Sequence, residues 1–372
     1  MLYPARDFSF VQVAGISHEY EQIRLGVLSR MTAGDYNAVV CSVQAACQMT
    51  MPPEELKSRT RTVSVGDEID IKEIEQALVQ AGYTRYDQVD GTSQFAVRGG
   101  IVDVFPPGSN QPVRLEFWGD TVDTISSFDL STQRRSGNLQ SLKITPSAEV
   151  LFSSNEKAAN AIDDLAKSLK GKAIKARESL YDDSAKLREG VNITCRDRYL
   201  PLIYKSNGIF DYCDGLLIAC DSSRVKEKCQ NAEKLMHEDI KWLLEDGTLC
   251  KGLDKFTVSF SELTEIYSEK KAVYLDSMPR VSFDTPVAHL SSFTAQTIGV
   301  WSGTLAQLKE ELSPLTEKGY TVCIMAGTER AGKALAYDLN EMGFYSVYYE
   351  QPPSKLQKGT VSVPVSYTHL RA

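Results

Sequence analysis

Two kinds of hydrophobic pattern alternate along the chain. The first 60 residues read as helix then strand. Ser17 can cap a helix in which Ile23, Val27, Leu28 and Met31 fall at helical spacing, and Gly34 ends it. Residues 38–43 (AVVCSV) read as a short buried strand, and Pro52-Pro53 closes the segment. Such a unit belongs to a parallel α/β layer. From about residue 61 the pattern changes. Asp70 can cap a helix over 71–81, with Glu73 completing a capping box, Ile71, Ile74 and Leu78 facing inward, and Gly82 as the stop. Strands are predicted over 94–105, 112–118 and 121–128. Pro107-Gly108 supplies a turn, and Gly119-Asp120 suits a two-residue hairpin. The pattern thus predicts a compact α+β module over residues 61–149.

Residues 150–290 return to mixed α/β. A lysine- and alanine-rich helix near 155–170 leads to the apolar run 199–204 (YLPLIY), a strand at 215–220 (GLLIAC) and a helix over 223–244 with charges on its outer face. Beyond residue 291, a helix over 304–312, a strand over 321–325 and a helix over 331–342 make a further, partial α/β domain. Neither an internal repeat nor a low-complexity segment interrupts this order.

Length agrees with this division, since 372 residues exceed one ordinary core. Charge narrows the function. The chain carries 41 Lys and Arg against 49 Asp and Glu, a net −8, which disfavours a non-specific nucleic-acid clamp. No apolar run approaches the roughly 20 residues of a membrane helix, and the start MLYPARDF has no signal-peptide core, so the chain reads as cytoplasmic with no membrane partner. The eight cysteines form no C-x-x-C pair and only four histidines are present, so no metal site is expected.

Three features could carry chemistry. Gly327 to Lys333 has G-x-x-x-x-G-K spacing after a strand, as in a phosphate loop, but Ala334 stands where a magnesium-binding hydroxyl belongs. Asp221 ends a strand as a magnesium-binding carboxylate would, but Ser222 and Ser223 follow it instead of a second acid. The reading for both is structural, and no catalytic residue is assigned. The third feature is PVRLEFW, residues 112–118. Strand alternation sends Val113, Leu115 and Phe117 inward and Arg114, Glu116 and Trp118 outward. Arg and Trp dominate protein-interface hot spots. The intramolecular alternative pairs Arg114 with Glu116 or a neighbouring strand and lays Trp118 over the hairpin edge.

The string Phe95-Ala-Val-Arg-Gly-Gly-Ile-Val-Asp-Val-Phe-Pro-Pro-Gly-Ser109, followed by Pro112-Val-Arg-Leu-Glu-Phe-Trp-Gly-Asp120, Phe128-Asp129 and Thr132-Gln-Arg134, resembles the bacterial transcription-repair coupling factors (Mfd). The likeness lies in the module they share with the excision-nuclease subunit UvrB. It extends more weakly over almost the whole chain. It implies a degenerate helicase-like, UvrB-like α/β domain (1–60 and 150–290) interrupted by a module (61–149) that recruits UvrA, the damage-recognition ATPase. Part of a further α/β domain follows (291–372). Arg98, Arg114 and Trp118 fall on the family's UvrA-contacting positions, the last usually phenylalanine. The resemblance further implies an N-terminal fragment that starts inside its first domain, serves as a non-catalytic platform and holds no cofactor. The ATP- and magnesium-dependent motor, and the contacts with RNA polymerase and DNA, would lie downstream. Residues 366–372 do not match the family pattern. The alternative is a UvrB-like subunit or an ATP-using helicase fragment. It is disfavoured because residues 3–17 leave no room for UvrB's tyrosine-rich hairpin, and the paired acids are missing near Asp221.

Overall fold

The computed structural model describes residues 1–372 apart from 12–16, 170–172, 192, 194, 205–206, 279, 281, 294–302, 354 and 366–372. The atypical tail and the middle of the 3–17 segment therefore lie outside the described residues. The fold is mixed α/β, with several separate sheets and helices between them, and the chain divides into two compact units, 1–288 and 289–372.

Within the first unit, the sheet of the module has six strands in chain order: Thr84–Arg85, Gln94–Arg98, Ile101–Val104, Val113–Trp118, Thr121–Phe128 and Arg135–Leu139. The run expected as one strand over 94–105 is a hairpin. Gly99 adopts φ +58°, a conformation that costs glycine little, and the chain reverses at the Gly99-Gly100 pair. One sheet face packs on the helix Ile71–Gln80 through Ile74 and Leu78. Strands Arg61–Ser64 and Ser141–Ile144 pair antiparallel and add Val63, Leu142 and Ile144 to that core. Asp70 caps the helix by accepting from the Lys72 amide, whereas Glu73 pairs with Arg61 at 2.8 Å rather than closing a capping box.

The rest of this unit packs around a second core built from residues on both sides of the module, including Tyr3, Leu25, Leu28, Val150, Ile162, Tyr199 and Leu243. Its strands are short: Leu2–Tyr3 beside Val40–Cys41, and Leu217–Cys220 beside Ala272–Leu275, both pairs parallel. The buried strand expected over 38–43 shrinks to two residues with Val40 exposed, because Ser42 accepts a hydrogen bond from the Ala45 amide and starts a helix, Val43–Cys47. The first long helix runs over Glu19–Thr32 with His18, not Ser17, at its N-cap. Ile23 lies outside its buried face, and Arg24 takes the inward place. Elements that went unpredicted in this stretch include the helices Pro53–Arg59, Ile174–Arg188 and Phe260–Glu269 and the strand Ala272–Leu275.

In the second unit three parallel strands, Val322–Cys323, Val361–Pro364 and Ser346–Tyr349 in that spatial order, pack with helices Leu305–Glu317 and Glu329–Glu341. Thr328 caps the latter, so most of the phosphate-loop-like stretch is helical. Gly332 lies against Tyr348, and Lys333 pairs with Glu329 at 2.6 Å.

The helix Glu19–Thr32 holds the module to the body. Arg24 and Glu149 are both fully buried, and Arg24 Nε donates to Glu149 Oε1 at 2.5 Å. Arg24 Nη1 donates to Gln48 Oε1 and to the Pro4 carbonyl. Arg6 approaches the same carboxylate at 3.4 Å and makes a bidentate pair with Asp197 at 2.8 and 2.9 Å. Glu21 accepts from the Glu149 backbone amide at 2.7 Å. Burial opposes the charge on Arg6, but Glu149 and Asp197 outweigh it and hold the guanidinium firmly protonated. Two residues further along, a β-carbon on Gly26 would sit 2.7 Å from the Cα of Gly108, so helix and turn meet backbone to backbone.

Two outcomes follow. Gly26→Ala gains helix propensity but forces this contact apart, and is expected to destabilise unit 1–288 by about 1–3 kcal/mol in urea unfolding. Glu149→Gln leaves Arg24 without its buried counter-charge and is expected to cost about 3–5 kcal/mol by the same measurement.

Candidate functional site

The outward face of the module's sheet collects the three predicted residues. Register puts Ala96, Asp103, Arg114 and Ser126 in one cross-strand row, and Arg98, Ile101, Glu116 and Thr124 in the next. Residues directly opposite in a sheet point to the same face. Trp118 lies two residues beyond Glu116, at the Gly119 turn. A bulge interrupts this region, with Glu116 opposite Thr124 and Phe117 opposite Val122. The extra residue is Asp123, on the neighbouring strand, so alternation along Val113–Trp118 survives. Val113, Leu115 and Phe117 accordingly belong to the core packed on the helix, as the sequence pattern predicts.

Asp103 organises the face. It is 1% exposed, yet both of its oxygens are engaged by arginines. Arg114, directly opposite, donates through Nε to Oδ1 at 2.6 Å and through Nη2 to Oδ2 at 2.9 Å. Arg98, diagonally placed, donates through Nη2 to Oδ2 at 2.7 Å. Arg114 also lies over the Phe128 ring, 4.7 Å from its centroid, a cation–π contact that fixes the plane of the guanidinium. The hydrogen bonds that Arg114 donates to Asp103 raise its pKa further, so its charge is permanent. Glu116 does not neutralise the pair. It is held by Arg135 and accepts from Thr124 Oγ1 at 3.0 Å, and the bond from Arg135 pulls its carboxyl below the usual range.

Exposure separates the three residues. The Arg114 side chain is 14% exposed and that of Arg98 48%. Trp118 is 84% exposed and covers no hairpin edge. Behind them the same face is closed by Val89, Phe105, Phe128 and Leu130, while Arg98 and Trp118 stand at an open end. Asp103 was not singled out in the sequence. Its signal is a carboxylate inside the apolar strand Ile101–Val104, where burial demands a counter-charge.

The other candidate residues are absorbed structurally. Asp221 caps the helix Ser222–Asp246 by accepting from the Arg224 amide, and Ser222 donates to Asp276. Cys47 and Cys229 lie 3.5 Å apart, sulfur to sulfur, and are buried. Among the described residues no cluster of His, Cys, Asp and Glu could hold a metal ion, and no helix is long and apolar enough to cross a membrane.

Because Trp118 has almost no intramolecular contact to lose, Trp118→Ala is expected to leave stability within about 0.5 kcal/mol, checked by thermal melting beside the wild type.

Residues 62–149 match the family model described as the UvrB interaction domain. The chain is 32% identical over 347 residues to the transcription-repair-coupling factor of Bacillus subtilis, covering 90% of this chain and 29% of that protein. It is 24% identical over 353 residues to that of Staphylococcus epidermidis, covering 91% and 30%. A 197-residue stretch is 34% identical to the Myxococcus xanthus protein, covering 51% and 16%. The chain thus spans about 30% of the length of the first two relatives. The resemblance to the transcription-repair coupling factors holds along nine-tenths of the chain, and the module bearing Arg98, Arg114 and Trp118 is the part that matches the UvrB interaction domain.

Proposed function

We propose that the chain is a non-catalytic recruitment platform of transcription-coupled nucleotide excision repair, which docks the damage-recognition ATPase UvrA on the outward face of residues 61–149. Arg98, Arg114 and Trp118 are the contact residues. The observation that carries this reading is the exposed Trp118 beside two arginines fixed by one buried carboxylate, within the stretch matching the UvrB interaction domain. A rigid aromatic and a pre-set guanidinium are the chemistry of an interface hot spot. Arg98 presents its free donors to a partner carboxylate, while Arg114 acts mainly from behind it.

On this reading residues 1–60 and 150–290 form a UvrB-like, helicase-type α/β body interrupted by the module, and residues 291–372 belong to a further α/β domain. RNA polymerase, DNA and the ATP- and magnesium-dependent motor concern parts of the relatives beyond the matched stretch. The capping of the Gly327 to Lys333 stretch by Thr328 supports a structural rather than a nucleotide role there.

The test is a calorimetric titration of UvrA into the full chain. Arg98→Glu and Trp118→Ala are the variants of choice, because Arg114→Glu would set a second carboxylate against buried Asp103 and disturb the fold. Wild type is expected to bind, and Arg98→Glu to lose about 2–5 kcal/mol of binding free energy. Equal binding by wild type and both folded variants would move the docking site elsewhere.

A further inference from the structure

Asp103 has no route to a partner, since its side chain is 1% exposed and lies beneath two guanidiniums. It is nonetheless the single point where the two arginines of the face meet. One carboxylate receives three hydrogen bonds from Arg98 and Arg114, two of them to Oδ2 and one to Oδ1. Arg98 and Arg114 stand on different strands, five residues before and eleven residues after Asp103. Either side chain, left alone, would sample many rotamers in water and lose that freedom on binding. The structure assigns Asp103 the role of positioning residue for the docking face: it pre-sets both arginines and so determines affinity for UvrA without touching it. This inference rests on the docking reading above and deepens it.

Three points support the assignment. The first is charge. One carboxylate against two guanidiniums leaves a unit of positive charge on the face, and Glu116 is committed to Arg135. Asp103 therefore orders the pair without cancelling it. The second is direction. Arg114 spends Nε and Nη2 on Asp103 and lies over Phe128, which leaves the weakly held Nη1, 3.5 Å from the Gln133 carbonyl, as its remaining outward group. Arg98 commits only Nη2, so its other donors stay free on a side chain already anchored at one point. The third is rigidity. Asp103 sits in the strand Ile101–Val104, paired on both sides within the six-stranded sheet. A contact group held by a strand costs less to order on binding than one on a loop.

The experiment uses the full chain with 15N-labelled arginine, comparing wild type with Asp103→Asn, Arg98→Glu and Trp118→Ala. Three properties are read: melting temperature, the guanidinium N–H resonances in the absence of UvrA, and the UvrA titration. Asp103→Asn keeps the side-chain volume but removes the charge and one acceptor. It is expected to melt cooperatively, to move the Arg98 and Arg114 resonances toward those of freely rotating, solvated arginines, and to bind UvrA about tenfold more weakly. A residue that merely supports the fold would shift the melt and leave the guanidinium signals of the folded protein in place. Wild-type affinity in a folded Asp103→Asn, with Arg98→Glu still losing binding, would overturn the positioning role and leave the docking site standing. Unmoved guanidinium resonances in that variant would overturn it as well. Wild-type affinity in both Arg98→Glu and Trp118→Ala would instead defeat the docking reading, and this inference with it. Should Asp103→Asn not fold, Asp103→Glu carries the test. It keeps the charge on a longer arm that displaces both guanidiniums, so weaker UvrA binding is expected and unchanged binding would overturn the assignment.

Discussion

The carboxylate of Glu149, sealed from water between Arg24 and Arg6, is the contact on which the arrangement of unit 1–288 depends. It stands where the chain leaves the module and re-enters the body. The network around it gathers residues 6, 21, 24, 48, 149 and 197 into one set of hydrogen bonds. Buried charges tolerate little displacement, because each lost bond leaves a desolvated ion. The module is therefore not a bead on a flexible tether. Its exit is pinned electrostatically at Arg24, and its Pro107-Gly108 turn is pinned sterically two residues along the same helix, at Gly26.

The same pairing chemistry appears on the module's outward face with a different balance. In the buried network Arg6 and Arg24 face Glu149, Asp197 and Glu21, and His18 pairs with Glu21, so the acids are matched within the cluster. Burial raises the cost of ionising Glu21, and Arg6 with His18 overcomes it, holding the carboxyl below its usual range. The result is closed to solvent and suited to holding segments together. On the outward face one acid serves two guanidiniums, the surplus is positive, and Arg98 and Trp118 stand in water. That arrangement is satisfied enough to be rigid and incomplete enough to accept an anion. Charge balance and exposure thus set the two clusters apart.

Much of this was legible along the chain, for local reasons. The face of Arg114, Glu116 and Trp118 follows from strand alternation, and held because the bulge placed its extra residue at Asp123 on the neighbouring strand. The Asp70 and Gly82 boundaries follow from capping and positive φ. Failures had physical causes. The valine- and isoleucine-rich run over 94–105 masked a hairpin whose only mark is Gly99-Gly100. The helix Ile174–Arg188 buries Asp183 and Ser184 beside Ala176, Leu180 and Leu187, so its apolar period was weak. Asp103 and Glu149 could not be weighted from sequence, since their partners come from other strands or from 125 residues away. Long-range charge pairing leaves no periodic trace.

The two clusters are mechanically connected. The strands carrying Arg98, Asp103 and Arg114 belong to one sheet, the helix Ile71–Gln80 is packed on its reverse, and the chain runs from that core through Ile144 to Glu149 with no free linker between them. Tyr83 Oη donates to the Thr145 carbonyl and the Ser147 amide donates to the Ala81 carbonyl, which ties this exit segment to the helix end. A partner seated on the outward face would therefore be oriented by the whole unit rather than by the module alone. Affinity would be set locally, at Asp103 and its two arginines. The direction in which the partner is presented would be set at Glu149. These separate assignments explain why one fold needs both a charge cluster shut from solvent and one left open to it.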